Sequence, residues 1–140
     1  MSFVLDNSVA LTWCFEDERT PVTTTLLHRV GETGATVPQH WPLEALNGLM
    51  VAERRKRLDG VRRAYLARFL RDLPIKLDPE TTIQLWTATQ RLAERFRLTI
   101  YDAAYLELAH RLSLPLATLD QELRTAGTAL GVPLLGSDPG

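Results

Sequence analysis

The sequence predicts an α/β domain with a central, mostly parallel sheet and helices on both faces. Short apolar runs alternate with longer stretches of helical period along the whole chain. Strands separated by helices favour a parallel sheet covered on two sides. The length, 140 residues, suits a single core. The composition, 45% hydrophobic and 24% charged, is that of an ordinary globular chain.

Phe3-Val4-Leu5 reads as a buried strand, with a helix beginning near Ser8. A second helix runs from about Pro21 to Gly34, a natural stop. Thr36-Val37-Pro38 reads as a short strand, and Pro42 then opens a helix, since proline fits a first helical turn. Gly60 separates that helix from another whose Leu66, Phe69, Leu70 and Leu73 share one face. Ile75-Lys76-Leu77 reads as a third strand. Asp78-Pro79 is expected to begin a long helix in which Leu85, Trp86, Leu92, Ala93 and Phe96 keep a helical period. Tyr101 to Leu112 is apolar nearly all round and reads as a buried central helix. Pro115 to Thr118 reads as a fourth strand, Gln121 to Leu130 as a helix, and Val132-Pro133-Leu134 as a short last strand. One domain, residues 1–136, is expected, with residues 137–140 a loose tail.

The formal net charge is -1, so nucleic-acid binding would need a local patch. Cys14 is the only cysteine, which excludes a disulfide framework and a cysteine-based zinc site within one chain. The expected compartment is the reducing cytoplasm. The N-terminus lacks the pattern of a secretory signal, and no apolar run approaches the roughly 20 residues that span a bilayer.

Four acids stand at the expected carboxyl edge of the sheet or at the helix starts beside it, where open sheets of this kind build their sites. Asp6 follows the first strand, Asp120 follows the fourth, and Glu44 and Asp102 each fall in the first turn of a helix. Each alone has a bland explanation. Asp6 or Ser8 could cap the first helix, and Asp120 another. Glu44 suits the positive end of its helix dipole. Thr99 and Asp102 have capping-box spacing. Together, four carboxylates at one edge would repel each other, and a divalent cation would neutralise them. Hard oxygen donors suit Mg²⁺ or Mn²⁺. Such an ion, held by carboxylates, can generate hydroxide and stabilise the leaving oxygen of a phosphodiester.

These residues carry a family resemblance over nearly the whole chain. Val4-Leu5-Asp6-Asn7-Ser8 resembles the first motif of the PIN domain. Trp41-Pro42-Leu43-Glu44-Ala45-Leu46-Asn47 resembles the second. Leu98 to Ala109, containing Thr99-Ile100-Tyr101-Asp102-Ala103-Ala104, is similar to the third, and Leu116-Ala117-Thr118-Leu119-Asp120 to the fourth. The resemblance is closest to the toxins of VapBC-type toxin–antitoxin pairs. It implies a three-layer PIN-like fold, a Mg²⁺- or Mn²⁺-dependent endoribonuclease, neutralisation by a small antitoxin, and homodimers. It also implies that Asp6, Glu44, Asp102 and Asp120 are the metal-binding and catalytic acids, with Ser8 and Thr118 as supporting hydroxyls.

The stretch Arg54 to Arg71 holds eight of the 16 basic residues against one acid, Asp59. Arg54, Arg55, Arg57, Arg62 and Arg63 could therefore form an RNA patch, a surface for an acidic partner, or simply a solvated helical face. His28, His40 and His110 show no metal-ligand spacing and suggest structural or surface roles. Trp13, Trp41 and Trp86 suggest packing. Neither a Gly-x-Ser-x-Gly elbow nor a phosphate-binding Gly-x-x-x-x-Gly-Lys loop is present. Two alternatives to the nuclease remain open. One is an aspartate-based phosphohydrolase with Asp6 as nucleophile, disfavoured by Ser8 where a second acid is usual. The other is a non-enzymatic partner-binding module on the same fold.

Overall fold

In the computed structural model, residues 2–137 are described, so Asp138, Pro139 and Gly140 of the expected tail lie outside the described residues. The elements run β1 (Val4–Leu5), α1 (Asn7–Thr12), a 3-10 turn (Glu16–Glu18), α2 (Pro21–Thr33), β2 (Ala35–Val37), α3 (Trp41–Arg54) and α4 (Gly60–Arg71). After β3 (Ile75–Leu77) come α5 (Thr81–Gln84), a π-helical stretch (Leu85–Thr89), α6 (Gln90–Phe96), α7 (Ile100–Leu112), β4 (Leu116–Ala117), α8 (Gln121–Leu130) and β5 (Leu134–Leu135). The sheet order is β3-β2-β1-β4-β5, and every pairing is parallel. The expected α/β architecture is therefore the observed one, with helices around a central sheet.

β1 is the central strand. Phe3, Val4 and Leu5 are fully buried, as a strand covered on both faces requires. The chain first builds outward through β2 to β3, then returns to lay β4 on the other side of β1. The reversal falls between β1 and β4, which makes a crevice at their carboxyl ends. Two helix groups clothe the sheet: α3 packs on α1 and α4, while α7 packs on β1, β4, α6 and α8. In α7, all seven residues from Ala103 to Ala109 are buried, including Glu107.

Gly34 ends α2 at φ 73°, a left-handed conformation, and a Cβ there would stand 2.9 Å from the Pro74 carbonyl. Only glycine meets both conditions without strain.

The structure corrects several expectations. β2 begins one residue earlier than read, and β5 is Leu134–Leu135, displaced past Val132 and Pro133. The long helix does not begin at Asp78-Pro79. Asp78 still belongs to the sheet edge, donating its N–H to the Val37 carbonyl, and its carboxylate is drawn into the protein by Arg111. Helix begins only at Thr81 and is interrupted by the π-helical turn. That turn shifts the helical register, and Trp86, expected to pack, is 74% exposed. Trp13 and Trp41 are buried as expected.

Arg111 reaches Asp78 Oδ2 at 2.5 Å and Glu107 Oε2 at 2.7 Å. Both acids are almost wholly buried, so this cation compensates two charges that the interior would otherwise reject. Donation to Glu107 first, and then to Asp78, holds the guanidinium pKa above its ordinary value.

Candidate active site

The crevice between β1 and β4 collects the predicted residues. Asp6 leaves β1 with its N–H donated to the Ala117 carbonyl of β4 at 2.9 Å. It occupies the N-cap position of α1 without making a side-chain capping bond, so the capping explanation does not account for it. Instead its Oδ2 accepts 2.7 Å bonds from the hydroxyls of Ser8 and Thr118. Ser8 Oγ in turn accepts the Leu119 N–H at 2.9 Å, and Thr118 Oγ1 accepts the Asp120 N–H at 3.1 Å. The two predicted supporting hydroxyls thus knit β1 to the turn after β4 through one carboxylate oxygen. Burial pushes the Asp6 carboxyl above its usual range, against the pull of these two hydroxyls.

Asp120 does cap a helix: its Oδ1 accepts the Leu123 N–H of α8 at 2.9 Å. Asp102 lies in the first turn of α7, whose N-terminus is capped by Thr99 Oγ1 accepting the Asp102 N–H at 3.1 Å. Its half-buried carboxyl is pushed up to about 6, first by burial and then by the charges of Asp6, Asp120 and Glu44. The four acids are therefore one electrostatic cluster as well as four helix-start residues.

Glu44 sits in the first turn of α3. Asn7 Nδ2 donates to its backbone carbonyl at 3.3 Å, tying α3 to the segment beside Asp6. Its Oε1 accepts the Tyr105 hydroxyl at 2.7 Å. That contact and burial keep the phenol proton in place, raising the Tyr105 pKa. His40 Nε2 stands 3.4 Å from the same oxygen and 3.1 Å from the Tyr101 carbonyl oxygen. The His40 ring meets the Tyr105 ring edge-on at 5.2 Å.

Sequence reasoning left His40 and Tyr105 out of the site. Both had a signal: His40 lies four residues before Glu44, and Tyr105 three after Asp102, spacings that share one helical face.

A divalent ion fits the chemistry of this edge. Its donors are carboxylate and hydroxyl oxygens, and the one cysteine, Cys14, is buried elsewhere with its thiol pushed up to about 11 by burial. Asn7 Oδ1, between Asp6 and Ser8 in sequence, is buried without a hydrogen-bond donor. Several acid oxygens are nevertheless turned to protein donors, and among the described residues no three His, Cys, Asp or Glu side chains already enclose an ion position.

The basic stretch is partly spent within the protein. Arg57 pairs with Asp17 and Glu18 and covers the Phe15 ring at 4.1 Å; Arg63 pairs with Glu53. Arg54, Arg55 and Arg62 are exposed. Between α3 and α4 runs a groove of about 570 Å³ with Ala45, Leu46, Leu49 and Ala67 on its walls and Arg63, Arg68 and Arg71 among its lining residues. Among the described residues, no helix is long and apolar enough to cross a membrane.

Two solved structures share the fold. The crystal structure of PAE2754 from Pyrobaculum aerophilum superposes with a TM-score of 0.69 at 21% identity, covering 96% of this chain and 83% of that one. The crystal structure of FitAcB from Neisseria gonorrhoeae does so with a TM-score of 0.64 at 16% identity, covering 96% of each chain. No curated protein matches the sequence. The PIN domain family matches residues 3–128, a span that holds all four acids and both hydroxyls, and the chain belongs to that family.

Proposed function

We propose that this protein is a metal-dependent endoribonuclease acting in the cytoplasm as the toxin of a VapBC-type toxin–antitoxin pair. PIN domains are generally nucleases and typically use divalent metal ions. The observation that carries the reading is the gathering of four acids at one edge, where the charges of Asp6, Asp120 and Glu44 add to burial in raising the Asp102 carboxyl, a repulsion that a bound cation would relieve. Asp6, Glu44, Asp102 and Asp120 would hold Mg²⁺ or Mn²⁺. When bound, the ion supplies an activated water and stabilises the departing oxygen of the phosphodiester. Ser8 and Thr118 fix the Asp6 carboxylate, so that one donor is held in place while the others would turn toward the ion. Tyr105 holds the Glu44 carboxylate in the same way, and Asn7 anchors the Glu44 backbone carbonyl.

The toxin role rests on the four motifs. The groove between α3 and α4 suits the antitoxin: an amphipathic segment would place its apolar face on Leu46 and Ala67 and its acids against Arg68 and Arg71. Homodimer formation follows from the same resemblance and is read by size-exclusion chromatography.

The deciding experiment incubates the purified protein with RNA in Mg²⁺, in Mn²⁺ and in chelator. Cleavage is expected with metal only, and Asp6→Asn should abolish it while the protein stays folded. Cleavage that persists in chelator, with contaminating nuclease excluded, would overturn the metal mechanism.

A further inference from the structure

A second concavity opens beside the acid edge. It measures about 560 Å³ and lies where the start of α5 and the π-helical turn face the first turns of α7. Leu85 and Ala104 give it apolar walls, and Tyr101 contributes an exposed ring. Gln39 and Thr82 supply polar groups, with Thr82 Oγ1 donating to Gln39 Oε1 at 3.0 Å. That bond leaves the Gln39 Nε2 donors for a ligand carbonyl. His40 is the wall shared with the acid site, since its Nε2 is 3.4 Å from Glu44 Oε1.

No Lys or Arg lines this pocket, and the Glu44 carboxylate stands against its His40 wall. A phosphate would be repelled there. A flat neutral ring with hydrogen-bonding edges meets the chemistry: apolar walls and an aromatic face to stack on, and an amide and hydroxyl to reach its edge.

We propose that this pocket takes an unpaired nucleobase of the RNA, belonging to a nucleotide that flanks the phosphate held at the acid edge. The inference rests on the ribonuclease reading and adds a specificity subsite to it. Tyr101 supplies the stacking surface, Gln39 the edge contact, and His40 the spacing between base and acid edge.

The test uses a short single-stranded RNA whose cleaved bond has been mapped with the wild-type protein and Mg²⁺. Companion RNAs replace the base of each flanking nucleotide by an abasic site. One of them should lower the wild-type kcat/KM by roughly five- to a hundred-fold, the worth of one stacked base. Tyr101→Ala should lose a similar factor on the intact RNA and little more on the abasic one. Gln39→Leu, an exposed change that spares the fold, should alter which base is preferred at that position. An abasic penalty equal in wild type and Tyr101→Ala, with base preference unchanged in Gln39→Leu, overturns the subsite while leaving the nuclease standing. Tyr101→Ala that weakens self-association and keeps full base sensitivity overturns it too, assigning the face to a second copy. A wild-type protein that cuts no RNA with Mg²⁺ or Mn²⁺ overturns the ribonuclease reading and the subsite with it.

Discussion

Replacing Asp102 by Asn in the metal-free protein separates a strained acid cluster from a set of helix starts. The Asp102 carboxyl is raised from 3.8 to about 6 by burial and by Asp6, Asp120 and Glu44. At 1.36 kcal/mol per unit that is roughly 3 kcal/mol. The carboxyl is only half-buried, and solvent screening reduces the figure to about 1–2 kcal/mol. A carboxyl whose folded pKa exceeds its unfolded one binds its proton more tightly in the folded state, so stability falls as pH rises from about 4 through about 6. Asp102→Asn removes this loss and forfeits about 0.3–1 kcal/mol of dipole interaction at the start of α7. In chelator at pH 7.5 the variant should gain about 0–1.7 kcal/mol and melt no lower than wild type, up to about 6 °C above it. At pH 4.5 the folded wild-type carboxyl is protonated while the unfolded one is still largely ionised, so the difference should shrink, and it should vanish only below the unfolded value of 3.8. Mg²⁺ at a hundred times its Kd should add about 2.7 kcal/mol to wild type and much less to the variant. Thermal melts at the two pH values, each with chelator and with Mg²⁺, read all of this. A variant that melts lower than wild type in chelator at pH 7.5, with a wild type indifferent to Mg²⁺, would make Asp102 a helix-start residue and refute the cluster.

Thr118→Val removes one of the two hydroxyls on Asp6 Oδ2 inside the crevice. It should cost about 1–3 kcal/mol in denaturant unfolding, and a loss confined below that range would show the clamp is dispensable. Arg111→Met strands Asp78 and Glu107, both almost wholly buried, and should destabilise by about 3–5 kcal/mol at neutral pH. A loss below about 1 kcal/mol would show that the two buried acids do not depend on this cation. Reversing Arg62 and Arg63 to Glu distinguishes RNA contact from partner contact. A flattened salt dependence of RNA binding marks phosphate contact, whereas unchanged RNA affinity with weakened antitoxin binding marks the α3–α4 groove as a partner surface.

The carboxyl edge was legible because its residues sit where the chain itself announces them: Asp6 directly after three apolar residues, Glu44 two after a helix-opening proline, Asp102 three after a capping threonine. Local chemistry also placed α8 and β3 at their observed bounds. What escaped depends on partners far away in sequence. Asp78 looked like a helix start until Arg111, 33 positions on, claimed its carboxylate. The π-helical turn carries no glycine or proline to betray it, and Trp86 faces solvent where the helical period expects packing. The basic stretch read as one patch because sequence cannot show Asp17, Glu18 and Glu53 reaching into it.

The hydroxyl of Thr118 holds a carboxylate 112 positions upstream, across the join between β1 and β4. A ribosome adding about 5–20 residues per second therefore exposes Asp6 seconds before it delivers Thr118 and Asp120. Until then the central strand lacks its β4 neighbour, and the crevice has only one wall. A nascent or prematurely terminated chain carries Asp6, Glu44 and even Asp102 without the edge that gathers them. On the nuclease reading proposed above, this order of synthesis delays activity until β4 has been made.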